Sequence, residues 1–336
     1  MIRANLAIGP MSSEIIEAVF RYSSFMRTEL MLIASKNQID HSGGYVNNWT
    51  TREYASFLST MREKYPQSKV VICRDHCGPG FNGVHDLNDV YKTIESDIAN
   101  GFDLIHIDFC HFRGSKEERF HESRKAIERC FVLNSHIMLE VGTDENMGTQ
   151  FGPMNLKEIE SEIEFFLRFC KPEFYVVQTG SLVKEINQVG GFSKDFIAEI
   201  AVRMRERGIK LKEHNADYLS REEIFQRQGI VDALNIAPQL GVIQTKTVLN
   251  KCLAYGIRFD DFIDEVYRGQ KWKKWLHNNE PENKFLCSLI AGHYHFASDS
   301  YKNIIKQLNQ REDIEEIIIS NVMSVIGHYE DARNGK

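Results

Sequence analysis

Residues 69–76 read KVVICRDH: an apolar run, Lys69–Cys73, followed at once by Arg74-Asp75-His76. The pattern recurs along the chain at intervals of roughly thirty residues. Leu104–Ile107 (LIHI) ends at Asp108, and Ile137–Leu139 (IML) at Glu140. Phe174–Val177 (FYVV) ends at Gln178, and Ile209–Leu211 leads through Lys212-Glu213 to His214. Short apolar runs that end in proton-carrying or metal-ligating side chains are what a (β/α)8 barrel requires. Its eight strand C-termini converge on one mouth, where residues distant in sequence meet.

Outward from these runs, strand and helix patterns alternate. Asn5–Ile8, Leu30–Ala34 and Val231–Ile236 complete a set of eight strand candidates. Between them lie helical stretches at Thr51–Lys64, Asp86–Ala99, Lys116–Cys130, Asn155–Phe169 and Phe196–Arg207, and Ser12-Ser13-Glu14 opens another. Apolar residues at Ile159, Ile163, Phe166 and Phe169 fit one helix face. Fixed alternation favours parallel strands with crossover helices. The rival, a doubly wound open sheet, normally carries a glycine-rich phosphate turn after its first strand, and IGPMSS is not G-x-G-x-x-G. After about residue 240 the strand rhythm gives way to helical, aromatic sequence. The expected fold class is α/β: a (β/α)8 TIM barrel over residues 1–268, with a helical C-terminal extension over 269–336 packed on it as one structural unit.

The chain has 336 residues, 42% of them hydrophobic, and a net charge of -6. That balance argues against a nucleic-acid or anionic-membrane surface, and the basic cluster Lys271, Lys273 and Lys274 is too short to reverse it. No apolar run approaches the roughly 18–20 residues of a membrane span. MIRANLAIGP lacks an extended apolar segment, so a signal peptide is not expected. Seven cysteines (73, 77, 110, 130, 170, 252 and 287) are scattered, with no Cys-x-x-Cys pair. Neither a disulfide framework nor a zinc knuckle is indicated, and a reducing cytoplasm is the natural compartment.

Asp75-His76 is the sharpest pair, because Cys77-Gly78-Pro79-Gly80 stops the strand behind it. Adjacent side chains point different ways on extended backbone, so one can act as a base while the other binds a metal. His214 would lie across the mouth. Glu140, within an apolar strand, needs a partner or a cation. The expected metal ligands are therefore His76, Glu140, Gln178 and His214. That donor set suits Zn2+ first, with Mn2+, Co2+ or Ni2+ as alternatives. A metal chelating a carbonyl and its neighbouring hydroxyl stabilises an enediolate. Asp75 would move the hydroxyl proton, with Asp108 and Glu140 as further catalytic carboxylates. Asp108 shares the parity of His106 and could orient His76.

Nine blocks, in order, resemble the tagatose-bisphosphate aldolase Z-type subunit family (GatZ/KbaZ-like). They are IGPMSSEIIEAV, IASKNQIDHSGGY, RDHCGP, IHIDFC, EVGTDENMG, VVQTGS, KEHNADY, NIAPQL and HYHFASDS. The family is distantly similar to class II, metal-dependent ketose-bisphosphate aldolases. The resemblance implies a barrel, a mouth metal and a sugar or sugar-phosphate substrate. It allows an aldolase, a ketose-phosphate C4 epimerase working by retro-aldol cleavage, or a stabilising subunit of a separate aldolase. Homo-oligomers or a partner aldolase are the expected assemblies. Asn37, Gln38, Asp217 and Asn235 are expected to touch substrate. Gly180-Ser181 and the Gly241 region are the candidate phosphate cradles. The chain departs from the family with Arg74 for a glycine, Lys212 for an acid, Ile33 for a glutamate and Ala237 for a glycine. Arg74 and Lys212 are therefore expected as new substrate-facing cations. His293-x-His295 is read as packing or substrate closure.

Overall fold

The computed structural model describes residues 2–144, 155–277 and 283–335. Its strands are β1 (Leu6–Ile8), β2 (Glu29–Ser35), β3 (Lys69–Cys77), β4 (Leu104–Ile107), β5 (Met138–Gly142) and β6 (Phe174–Val176). The hairpin β7 (Val183–Lys184) and β8 (Asn187–Gln188) follows, then β9 (Lys210–Glu213) and β10 (Ala233–Ile236). All but the hairpin pair in parallel and close into a barrel in the order β1-β2-β3-β4-β5-β6-β9-β10. This is the (β/α)8 barrel expected from the strand rhythm.

Seven helices occupy the crossovers: α1 (Ser13–Met26), α2 (Thr51–Lys64), α3 (Leu87–Ala99), α4 (Lys116–Leu133), α5 (Leu156–Phe166), α6 (Lys194–Glu206) and α7 (Arg221–Arg227). α8 (Pro238–Tyr255) follows the last strand. Reciprocal caps start four of them: Thr50 with Glu53, Ser115 with Glu118, Asn155 with Glu158, and Ser220 with Glu223. α7 was not expected, because seven residues are too few for a 3.6-residue period to stand out. The chain continues through α9 (Asp260–Gly269), a 3-10 turn at Lys271–Trp275, α10 (Lys284–Ala291), a second 3-10 turn at Gly292–His295, α11 (Asp299–Leu308) and α12 (Ile314–Arg333). α12 packs on α1, α7 and α8. Among the described residues, no helix is long and apolar enough to cross a membrane.

Strand alternation sorts the barrel into two cores. Ile2, Ala4, Ala7, Met31, Ile33, Cys73, Leu104, Phe174 and Ala233 fill the interior as an apolar plug. The opposite faces bury Leu6, Ile8, Leu32, Ile72, Ile105, Leu139, Val141, Tyr175 and Leu211 in the core beneath the helices. Above the plug the interior turns ionic: His106, Glu140 and Lys212 are each fully buried. His106 pairs with Glu140 across β4 and β5, and Lys212 with Val176 and Ala233.

β3 runs longer than the apolar run alone indicates. It pairs with β2 as far as Ser35 opposite Asp75, and with β4 it shifts register between Arg74 and Cys77. Within that bulge His76 takes a left-handed backbone (φ 46). For a non-glycine residue this costs roughly 1–2 kcal/mol, which the surrounding pairing must sustain.

Candidate active site at the barrel mouth

The bulge decides the site. On regular strand, Asp75 and His76 would face opposite sides. The left-handed turn at His76 swings its ring back toward the mouth, so both line one cavity of about 610 Å³. The His76 backbone N–H donates to His106 Nδ1 (3.3 Å). His106 Nε2 lies 3.0 Å from the Gly142 carbonyl, which can only accept. His106 is thereby fixed with its proton on Nε2, and its free lone pair anchors the bulge.

Around this anchor the donors converge. Asp108 Oδ2 accepts from His76 Nδ1 at 2.8 Å, and Thr143 Oγ1 and the Cys110 amide donate to the same carboxylate. That leaves His76 Nε2 facing the cavity, 3.6 Å from Asp144 Oδ1 and 3.7 Å from Asp75 Oδ1. His214 Nε2 lies 3.3 Å from Glu140 Oε1, while its Nδ1 lies 3.1 Å from Asp144 Oδ1. His214 Nδ1 and Asp144 Oδ1 are buried and face each other across the mouth. Asn215 Nδ2 donates to the other Asp144 oxygen (2.6 Å) and fixes its orientation.

These spacings match a divalent cation. Bonds of about 2.0–2.2 Å to nitrogen and oxygen put neighbouring donors about 3–3.5 Å apart. His76, Asp144 and His214 also meet the geometric condition for a shared ion. Each histidine is backed by a carboxylate, the arrangement that orients metal-bound imidazoles. The fit is to a hard-to-borderline dication held by two nitrogens and a carboxylate oxygen, with Asp75 alongside.

The electrostatics agree. Burial disfavours a charged His214, yet Asp144 and Asp75 push its pKa up to about 9. Burial likewise opposes charge on His76, but Asp75, Asp108 and Asp144 hold its pKa well above the ordinary value. Burial would raise Asp75, and the positive rings of His76 and His214 outweigh it and hold the carboxyl below its usual range. Glu140 follows the same logic: burial is overcome by Lys212 and His214, leaving its pKa at about 2. The acidic mouth thus demands positive charge, and protons supply it where a cation would.

Of the residues anticipated from sequence, Asn37, Gln38, Asp75, His76, His214, Asp217 and Asn235 line the cavity. Asp217 Oδ1 accepts the Ala237 and Gln239 amides at the start of α8 (3.0 and 2.8 Å). Its Oδ2 is buried without a partner, as is Asn235 Oδ1. Burial, only partly offset by the α8 amides, pushes Asp217 up to about 7. Asp108 and Glu140 stand one hydrogen bond behind the histidines rather than on the cavity.

The other anticipated residues lie elsewhere. Arg74 is not a mouth cation: strand parity turns it outward, fully buried. There its Nε and Nη2 grip both Asp97 oxygens (2.6 Å each), and Nη1 donates to the Ala34 and Ile39 carbonyls. Lys212 points inward but lies under the mouth, with its ammonium 2.7 Å from Glu140 Oε2. Gln178 lines a small crevice with Thr143, Ile159 and Tyr175, not the mouth cavity. Ser181 is consumed by Glu213 and Arg227, and Gly180 sits tight against the Gly191 carbonyl. Gly241 is buried in α8 against the His293 ring. His293 is itself buried, whereas His295 lines the cavity with Nδ1 3.2 Å from Glu265.

Two site residues escaped the sequence reading. Asp144 stands four residues beyond Glu140, past a glycine turn (Gly142, φ 94), so no apolar run ends on it. Residues 145–148 of that block lie outside the described residues. His106 sits inside an apolar run and was read only for its parity with Asp108.

At the level of fold, the chain is similar to a probable tagatose 6 phosphate kinase from Sinorhizobium meliloti 1021, with a TM-score of 0.77 and 14% identity over 98% of this chain and 100% of that one. It is also similar to a fructose-bisphosphate aldolase from Campylobacter jejuni (TM-score 0.63, 12% identity, 97% of this chain and 90% of that one). The YdjI aldolase from Escherichia coli K12 aligns with a TM-score of 0.50 and 14% identity over 91% of each chain. At the level of sequence, the model for the D-tagatose-1,6-bisphosphate aldolase subunit GatZ/KbaZ-like family matches residues 6–138, and the chain resembles that family. The matched segment carries β1 to β4, and with them Asp75, His76, His106 and Asp108.

Proposed function

We infer that this chain is a metal-dependent enzyme that makes or breaks a carbon–carbon bond in a ketose phosphate or related sugar. The observation that carries the reading is the convergence of His76 Nε2, His214 Nδ1 and Asp144 Oδ1 around a point beside Asp75, with Asp144 Oδ1 3.6 Å from the first nitrogen and 3.1 Å from the second. The family match supports the aldol class of chemistry. When bound, a divalent cation, Zn2+ first among those the donors suit, supplies Lewis acidity toward a carbonyl and its neighbouring hydroxyl. His76, Asp144 and His214 would hold it.

The chain's own groups account for the rest. Asp75, kept ionised by the surrounding imidazoles and facing the cavity, takes the proton from the hydroxyl whose collapse cleaves the bond, and returns it on addition. Asp108 and Glu140 lock the two rings in the orientation that aims their free nitrogens inward. Asp217 Oδ2 and Asn235 Oδ1, buried and without partners, accept from substrate hydroxyls. A C4 epimerase would use the same groups and differ only in retaining the aldehyde while it rotates. The matched family is one of aldolase subunits, which favours one further reading, a stabilising partner of a separate aldolase.

The test is metal analysis of the purified protein beside His76→Ala and His214→Ala, followed by NMR of the metal-loaded protein with a ketose phosphate. Metal in the parent alone and triose products support the aldolase, whereas a C4 epimer supports the epimerase. Equal metal content in all three proteins removes the site. Full metal loading without turnover, together with co-purification of a class II aldolase, turns the reading to the subunit.

A further inference from the structure

The proposed substrate carries an anion, and the places where a barrel ordinarily cradles one are taken. The N-terminus of the helix after the last strand is the usual phosphate position. Here the Ala237 and Gln239 amides are both spent on Asp217 Oδ1. After β6, the Ser181 hydroxyl is bound between Glu213 and Arg227. A phosphate entering the mouth must find its donors elsewhere.

The C-terminal extension brings them. The 3-10 turn Lys271–Trp275 lies against the cavity, and Lys271, Lys274 and Trp275 line it. A 3-10 helix has three residues per turn, so residues three apart eclipse on one face. Lys271 and Lys274 share that face, whereas Lys273 is off it and donates to Gln270 Oε1 (2.9 Å). Neither Lys271 nor Lys274 lies within 4.0 Å of a carboxylate among the described residues. The Trp275 indole N–H is buried and has no partner. An indole N–H only donates and an ammonium only donates, so these groups present donors to an anion, while the Lys274 ammonium lies over the Trp275 ring, 4.5 Å from its centroid. The turn is also fixed in place. Trp272 is buried with its N–H on the Tyr267 carbonyl (2.9 Å), and the Lys274 and Trp275 carbonyls accept from Lys184 Nζ (2.7 Å) and the Glu185 amide (2.6 Å) of the β7–β8 hairpin.

We propose that Lys271, Lys274 and the Trp275 indole N–H form an anion subsite that takes the phosphate of the sugar, so that the extension sets specificity for phosphorylated over neutral substrates. The proposal rests on the functional reading above for its sugar. It favours a phosphate monoester over a carboxylate. Among the described residues no arginine, the usual planar partner of a carboxylate, lines the cavity, whereas lysines serve phosphate as point charges.

The experiment is calorimetric titration of the full-length protein with inorganic phosphate, fructose 6-phosphate, fructose and glucuronate. The proteins compared are the parent, Lys271→Gln/Lys274→Gln and Lys273→Gln, each with its metal content measured. Loss of two charge-assisted contacts should weaken phosphate and fructose 6-phosphate at least about 30-fold in the double variant. Fructose affinity and metal content should not move, and Lys273→Gln should behave as the parent. The proposal is overturned if the double variant binds phosphate as the parent does, if Lys273→Gln loses as much, or if glucuronate binds the parent more tightly than fructose 6-phosphate. A parent protein that takes up no metal yet binds phosphate would sink the functional reading and leave the subsite standing. The reverse result would do the opposite.

Discussion

Two carboxylates at the mouth do different work, and single substitutions separate them. Asp108 does not line the mouth cavity and acts by holding His76 Nδ1. Asp108→Asn should therefore lower metal affinity about 10–100-fold, read by competition with a chelating dye, while the fold melts near the parent temperature. Asp217 instead titrates. Its folded pKa, raised to about 7 from the ordinary 3.8, means that between those values the folded chain binds more protons at this position than the unfolded chain. Its contribution to stability is present at low pH, declines as pH rises through that window and levels off above it. Asp217→Asn keeps an acceptor for the α8 amides and removes the titration. The melting temperature of the variant relative to the parent should thus climb from pH 5 to pH 8. A difference that stays flat with pH would contradict the assignment. Asp75, His76 and His214 were legible from sequence because each follows a strand-like run. Arg74 was misplaced because its outward direction depends on strand parity and on an Asp97 partner in α3, which no local pattern reveals.

Among the elements, β3 depends most on a close approach of backbone to backbone. A Cβ on Gly78 would stand 1.6 Å from the Asp108 carbonyl oxygen, with no side chain able to yield. Gly78→Ala should destabilise the chain by roughly 3 kcal/mol and, by displacing Asp108, strip the metal as well. By contrast Ser115→Ala, which removes the cap of α4 at a residue that does not line the mouth cavity, should cost only about 1 kcal/mol and leave metal content intact. Denaturant melts with metal analysis compare the two. Most elements were visible as expected, since Thr51–Lys64 and Leu104–Ile107 carry complete periodic patterns and clear boundaries. The β3 bulge was not, because a register shift belongs to the pairing of two strands and leaves no mark on either alone.

Across the whole molecule, the C-terminal helices are tied to the site from behind. Tyr329 of α12 is buried, and its hydroxyl donates to the Ala216 carbonyl (2.7 Å), between His214 and Asp217, and lies 3.0 Å from Gln239 Oε1. Tyr329→Phe should cost about 1–2 kcal/mol in a denaturant melt and weaken sugar binding, whereas a purely peripheral helix would transmit only the first effect. The basic turn at Lys271–Trp275 was visible as composition but not as function, because only folding brings it over a mouth built by strands far upstream.

The paired carboxylate–imidazole units have one more consequence. Two imidazolium protons carry the same charge as one divalent cation. With the pKa of His214 raised to about 9 and that of His76 well above its ordinary value, the metal-free mouth at neutral pH holds both protons. Metal entry is then an ion exchange at constant charge, releasing about two protons for each ion bound. Titrations in buffers of different ionisation enthalpy would count them, and a count near zero would contradict the arrangement. Such a site behaves as a small ion-exchange resin whose loaded and stripped forms are electrostatically equivalent, so acidification should elute the metal while the barrel around it stays folded.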